Sequence, residues 1–242
     1  FVSRNGETKS INEKRELSRG MLYYTDNQCD EKIANMVKEQ LLKISKEKNI
    51  KIISVSLQPI DFGKNIVLQL ERGILTMFKQ ILIGLEAIDT DIVFFAEHDV
   101  LYSEEHFEFT PPNKETYFYN QNTWQIRLND GYAVSWDCKK QSQLCGYREF
   151  LIHHYIERIR RIESEGFSRN MGFEPGTHNR PERVDDFKAE GWRSKIPNLD
   201  IRHGKNLTKS RWSQSEFRSQ RNCRNWKESH INCIEGWEGL KL

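Results

Sequence analysis

The chain of 242 residues carries no Gly-x-Gly-x-x-Gly after its first strand-like run and no Gly-x-x-x-x-Gly-Lys-Ser/Thr anywhere. Without those glycine-rich phosphate cradles it is neither an ordinary dinucleotide oxidoreductase nor a P-loop NTPase. The Gly-x-Ser-x-Gly elbow of α/β-hydrolases is missing too. No apolar run approaches the ~18 residues that a transmembrane helix needs, and the start has no secretory pattern. Cysteine is scarce and odd in number, five in all, and neither Cys138 with Cys145 nor Cys223 with Cys233 has CxxC spacing. A disulfide framework and a structural zinc knuckle are therefore not expected. The expected setting is reducing and cytoplasmic, and the sequon Asn206-Leu207-Thr208 is then a chance match.

What is present suffices for a core: 37% hydrophobic and 11% aromatic residues, with 30% charged residues and a formal net charge of only +2. So small a net charge singles out no class of partner. Residues 1–20 are polar and read as a flexible leader, with Met21 as a sensible native start. Residues 21–25 read as a strand, and 31–46 as an amphipathic helix through Ile33, Ala34, Val37, Leu41 and Ile44. Residues 50–57 read as a second strand, which completes a right-handed βαβ unit. Residues 58–65 read as a loop, 71–88 as a second helix and 91–99 as a strand. Residues 21–103 thus form an alternating α/β half.

Residues 104–242 change character. Short strands are expected at 117–119, 124–128 and 132–136, the last two joined by the hairpin turn Asn129-Asp130-Gly131. A helix is expected over 147–162, with the adjacent His153 and His154 packing or facing water. Residues 166–192 read mostly as loop, with a short helix around 181–190, and 196–201 as a last strand or extended segment. Residues 202–227 are mainly basic, with Trp212 and Trp226 interleaved. The aromatics Tyr117, Tyr119, Trp124, Tyr132 and Trp136 divide between core and sugar or base stacking, with Trp124 and Trp136 as candidate acceptor contacts.

Chemistry concentrates at the end of the 91–99 strand. Its apolar run Ile92-Val93-Phe94-Phe95-Ala96 suits a strand buried on both faces, and it stops at Glu97-His98-Asp99. Ligand sites in open α/β sheets lie beyond the carboxyl ends of strands. In an extended segment Glu97 and Asp99 point to one side, where a hard divalent cation would relieve their repulsion. Late in the chain, His203-Gly204-Lys205 offers an imidazole, a glycine that lets backbone approach a phosphate, and a compact positive charge.

This order of motifs resembles that of GT-A-type nucleotide-sugar glycosyltransferases, over roughly residues 21–212. Glu97-His98-Asp99 stands where that family keeps its acidic DxD signature, and His203-Gly204-Lys205 where many members keep a late histidine. The resemblance implies an α/β, Rossmann-like fold: a mixed, mostly parallel central sheet flanked by helices, with a smaller mixed acceptor-binding part. It implies Mn²⁺ or Mg²⁺ held by Asp99 and His203, with Glu97 on the metal or on the ribose. The implied donor is a nucleotide sugar, a UDP-sugar first. Tyr24, Thr25 and Asp26 then hold the nucleobase, Lys64 and Arg72 the ribose and phosphate, and Lys205 the leaving diphosphate. An inverting enzyme also needs a carboxylate base for the acceptor hydroxyl. Glu174 is the first candidate and Asp137 the second, with His178 as an acceptor contact.

The basic segment either closes over the diphosphate or holds a polyanionic acceptor such as DNA. Two rival classes remain: a nucleic-acid-binding module without catalysis, and a sugar-phosphate nucleotidylyltransferase, whose glycine-rich N-terminal loop is not seen. A metal-dependent nuclease would need a denser carboxylate cluster than this chain assembles.

Overall fold

A computed structural model describes residues 15–177 and 188–242. The chain opens with strand β1 (Arg19–Thr25), helix α1 (Glu31–Lys48) and strand β2 (Lys51–Ser56). Helix α1 starts where Asp30 accepts a hydrogen bond from the Lys32 amide, and it ends at Asn49 in the left-handed region. Strand β3 (Lys64–Val67), helix α2 (Ile74–Ala87) and strand β4 (Ile92–Glu97) follow. Next come β5 (Val100–Leu101), β6 (Thr116–Asn120), β7 (Thr123–Arg127), β8 (Tyr132–Ser135), β9 (Leu144–Tyr147) and helix α3 (Arg148–Glu165). The described chain closes with β10 (Lys188–Trp192), β11 (Asn198–Arg202) and β12 (Lys227–His230).

Seven strands form the central sheet in the order β10-β6-β9-β4-β1-β2-β3. β3, β2, β1 and β4 run parallel, β9 is antiparallel to both its neighbours, and β10 is parallel to β6. A five-stranded sheet, β12-β8-β7-β11-β5, stands beside it. The fold is thus mixed α/β with a mostly parallel central sheet and flanking helices, and no described helix is long and apolar enough to cross a membrane.

Alternation along β1 divides the core. Met21 and Tyr23 pack with Ile33, Val37 and Leu41 of α1, whereas Leu22 and Tyr24 pack with Phe78, Ile81 and Leu85 of α2 and Tyr155 of α3. Helix α2 approaches closely enough that a Cβ on Gly84 would lie 2.1 Å from Leu22 Cδ1 and 3.1 Å from Val55 Cγ2. Only a side chain of one hydrogen fits there.

The fold corrects several local expectations. The expected loop over 58–65 gives way at Lys64 to edge strand β3, paired with β2. β9, β10 and β12 were not expected, and β12 makes β11 the last strand but one. Of the helix expected around 181–190, residues 181–187 lie outside the described residues, as does His178, and Lys188 onward is strand. From Lys188 to Trp192, backbone pairing with β6 gives the chain its partners. Strand β4 ends at Glu97, and His98 and Asp99 turn the chain into β5 rather than extending it.

Candidate active site

Strand β1 has β2 on one side and β4 on the other, so the chain leaves it in opposite directions. Such a reversal of strand order opens a crevice beyond the carboxyl ends. Here the crevice is a cavity of about 610 Å³, bordered by Thr25 and Asp26 after β1 and by Glu97, His98 and Asp99 after β4. Trp136, Lys140, Glu174, Asp200, Arg202, Lys205 and Asn206 form other parts of its wall.

Tyr24 lies directly across the ladder from Glu97, and its hydroxyl donates to Glu97 Oε1. Burial first, and then the Asp99 charge, push the Glu97 carboxyl up to about 8. His98 is seated by Thr25, with 2.7 Å between Oγ1 and Nδ1, and Asp26 Oδ1 lies 3.9 Å from the same nitrogen.

Backbone pairing carries His203 to this place. The Ile201 amide donates to the Asp99 carbonyl at 2.8 Å, and His203 follows directly after β11 ends at Arg202. His203 Nε2 then lies 3.5 Å from Asp99 Oδ2, with the imidazole side chain only 2% exposed. Neither ring nitrogen of His203 has a hydrogen-bond partner among the described residues. Burying polar groups in this way costs about 1–3 kcal/mol unless something satisfies them. Asn206 Nδ2 donates to the same Asp99 oxygen. Cys29, His98 and His203 each place a ligand atom within 4.8 Å of the others. Burial, then Asp99, raise the Cys29 thiol to about 12. The donor set beside Asp99 fits a divalent ion: a carboxylate and an unsatisfied imidazole at one buried point.

The cavity's other walls carry opposite charge. Lys140 Nζ binds Asp200 Oδ2 at 2.8 Å, and Arg202 approaches the other oxygen at 3.4 Å. Burial alone would raise the Asp200 carboxyl, but Lys140 and Arg202 outweigh it and hold it below the usual value. Lys140 also sits 5.1 Å above the Trp136 ring, which stacks on Trp226. Arg72 ties Asp26 to the Lys205 carbonyl, joining the end of β1 to the segment after β11.

Glu174 faces the cavity from a loop that is clamped on both sides. Buried Arg158 donates to the carbonyls of Met171 and Phe173, and the Tyr119 hydroxyl donates to the Pro175 carbonyl at 2.9 Å.

Tyr24, Thr25, Asp26, Glu97, Asp99, Glu174 and Lys205 therefore border one cavity, with His203 packed behind Asp99 and Arg72 latching its rim. Two sequence candidates stand apart. Lys64 is exposed at the start of edge strand β3 and does not line the cavity. Asp137 does not line it either, because its carboxylate is taken up by Arg193 and by Asn225, the latter at 2.6 Å. Trp136 lines the cavity, whereas Trp124 packs against the core, as Tyr117 and Tyr119 do. Sequence reasoning missed Asn206, Cys29 and the Lys140–Asp200–Arg202 triad. Asp200 and Arg202 share one face of β11 at i and i+2, a pattern readable once that strand is placed. Lys140 carries no local signal.

No protein-family model matches the chain, and no curated protein matches it. Among solved structures, it is similar to a mutant Drosophila β-1,4-galactosyltransferase 7 in complex with manganese, UDP-Gal and xylobiose, at 11% identity over 63% of each chain and a TM-score of 0.36. The catalytic domain of that Drosophila enzyme with xylobiose gives 11% identity, 63% of each chain and a TM-score of 0.37. A glycosyltransferase involved in glycosylation of the major capsid of PBCV-1 gives 9% identity over 76% of this chain and 92% of that one, with a TM-score of 0.42. The chain thus spans less than two thirds of the length of the Drosophila proteins.

Proposed function

We propose that the chain is a metal-dependent glycosyltransferase of GT-A architecture, which moves a sugar from a nucleotide-sugar donor, a UDP-sugar first, to an acceptor hydroxyl. The observation that carries this reading is the buried imidazole of His203, 3.5 Å from Asp99 Oδ2 with neither nitrogen satisfied, at a switch-point cavity. In this reading Asp99 and His203 hold Mn²⁺ or Mg²⁺, and Glu97 supports the ion or binds the ribose. A bound ion would act as a Lewis acid toward the departing diphosphate. Tyr24, Thr25 and Asp26 border the nucleobase end. Lys205 faces the phosphates, and a fixed positive charge there stabilises the leaving group as its charge develops, while Arg72, paired with Asp26, latches the rim. Glu174 accepts the acceptor's proton. Lys64 and Asp137, being off the cavity, have no part in this mechanism.

The basic residues of 202–227 take two roles. Arg202, Lys205, Lys209 and Arg211 line the cavity, which suits diphosphate binding. Arg218, Arg221, Arg224 and Lys227 are exposed and suit a polyanionic acceptor such as DNA.

The test is a thermal-shift matrix of nucleoside diphosphates with and without MnCl2. UDP at a hundred times its Kd should stabilise the wild type by about 2.7 kcal/mol. For a chain of this size that is roughly 5–10 °C. The shift should need both components and vanish in Asp99→Asn and His203→Ala. Equal shifts in wild type and Asp99→Asn would remove Asp99 from the site. A chain that binds DNA in a salt-dependent way and ignores Mn²⁺ with UDP would be the nucleic-acid-binding module instead.

A further inference from the structure

We infer that the same buried point is also a site for a thiophilic divalent ion, held by Cys29, His98 and His203, with Zn²⁺ as its probe. A site meant only for Mn²⁺ or Mg²⁺ needs oxygen donors and at most an imidazole. Here a thiol and two imidazoles bring their ligand atoms within 4.8 Å of one another. Thiolate and imidazole together select zinc-like ions, which bind such sets tetrahedrally.

Two details argue that the set is built for a ligand. His203 is buried with both nitrogens unsatisfied among the described residues, so its lone pair has no competing partner. His98 is already oriented. Its Nδ1 faces Thr25 Oγ1 at 2.7 Å, that oxygen also accepts the Asn27 amide at 3.0 Å, and Asp26 lies nearby. Thr25 thus fixes the ring's orientation, and with the proton on Nδ1 the Nε2 lone pair would be left for a metal, the arrangement usual for ligating histidines. Asp99 Oδ2 lies 3.5 Å from His203 Nε2 but is not among the three mutually close ligand atoms, so the fourth position is left to solvent. Zinc binding exchanges the Cys29 thiol proton for a Zn–S bond and releases that proton to solvent.

One consequence rests on the function proposed above. His203 cannot serve both ions, so Zn²⁺ should exclude Mn²⁺ and abolish the nucleotide response. The zinc site itself does not depend on that reading.

The experiment titrates metal-free wild type, Cys29→Ser and Cys29→Ala with ZnCl2 by calorimetry and with CoCl2 by absorption. The wild type should bind zinc with proton release and give a thiolate-to-cobalt charge-transfer band. Both variants should lose the band and bind zinc more weakly by more than about tenfold. Both should still show the MnCl2-plus-UDP thermal shift, which ZnCl2 should suppress in the wild type alone. Metal-free melting curves verify folding, and the two replacements guard against one failing to fold. Equal zinc affinity in all three proteins, or a wild-type cobalt complex without the band, overturns the inference. If the zinc difference stands but no protein responds to MnCl2 with UDP, the glycosyltransferase reading fails and the zinc site survives. If the nucleotide response stands without Cys29-dependent zinc binding, the reverse holds.

Discussion

His106 gives a prediction whose size follows from its surroundings. Its ring is fully buried between the two sheets, with Nδ1 3.2 Å from Asn120 Nδ2 of β6 and 3.1 Å from Asn198 Nδ2 of β11. The rings of Phe94, Tyr102, Phe107 and Trp192 surround it. Both amides donate, so Nδ1 accepts and the ring is neutral. Burial alone lowers its pKa from 6.5 to about 3, with no charged group contributing. Between those values the unfolded chain binds the proton and the folded chain does not. Folding stability therefore rises with pH across this window, is whole above about 6.5, and falls as acid is added. At pH 5 the loss is about 2 kcal/mol relative to pH 8, and near pH 4 about 3 kcal/mol. The assay is urea unfolding of wild type and His106→Asn at several pH values. Asparagine keeps an acceptor near the Nδ1 position, and the cavity it leaves has no pH dependence. The variant should be less stable at pH 8, yet its curve should be flatter by about 1.4 kcal/mol per pH unit between pH 6 and 4. Parallel curves would falsify a neutral buried His106, as would an NMR titration of its ring near pH 6.5.

The other predictions concern the site and its supports. Glu174→Gln should lower turnover of whichever sugar nucleotide gives the largest thermal shift by about 10²–10⁴-fold, with donor affinity almost unchanged in calorimetry. A loss of donor binding instead would mark Glu174 as a donor contact. Arg158→Met removes the cation that holds the Met171 and Phe173 carbonyls. It should cost about 1–3 kcal/mol in urea unfolding, from carbonyls left unsatisfied, and lower kcat with little change in KM, because Glu174 loses its clamp. Unchanged stability would mean water replaces the guanidinium. Gly84→Ala drives a methyl group into Leu22 and should cost about 1–3 kcal/mol, and a neutral result would show that α2 can shift off the sheet.

Strands β1, β2 and β4 and the helices between them were readable because each carries a strong local period. β3 was not, since its four residues, two polar and two apolar, are exposed or half-buried with no clear period, and only pairing to β2 makes it a strand. β9 holds a glycine and two of its residues pair with β6 through contacts far apart in sequence. Glu97-His98-Asp99 could be picked out because polar groups follow an apolar run abruptly, and His203 because a histidine, a glycine and a lysine are adjacent. Their meeting could not be derived, because it depends on the antiparallel register of β5 and β11. For the same reason Lys140 could not be matched with Asp200, 60 residues later. Asp137 misled because a carboxylate after a strand looks available, whereas Arg193 and Asn225 occupy it.

Under the proposed function, the distribution of partnered charge would let the cavity take an ion and a diphosphate together. Arg72 is taken by Asp26, and Lys140 and Arg202 by Asp200, so these pairs add little net field. The remaining charge is separated. Among the described residues, Asp99 has no Lys or Arg within ion-pair distance, Glu97 is held neutral by its burial up to about pH 8, and Lys205 and Lys209 have no carboxylate within ion-pair distance. A negative pole at the end of β4 thus faces a positive pole after β11. An ion compensates the first and a phosphate the second, and a ligand carrying both satisfies the two poles at once. A surface made only to hold nucleic acid gains nothing from burying carboxylates beside its lysines, since their repulsion of phosphate opposes binding. The buried acidic pole is therefore the feature that a binding-only reading leaves without a cause.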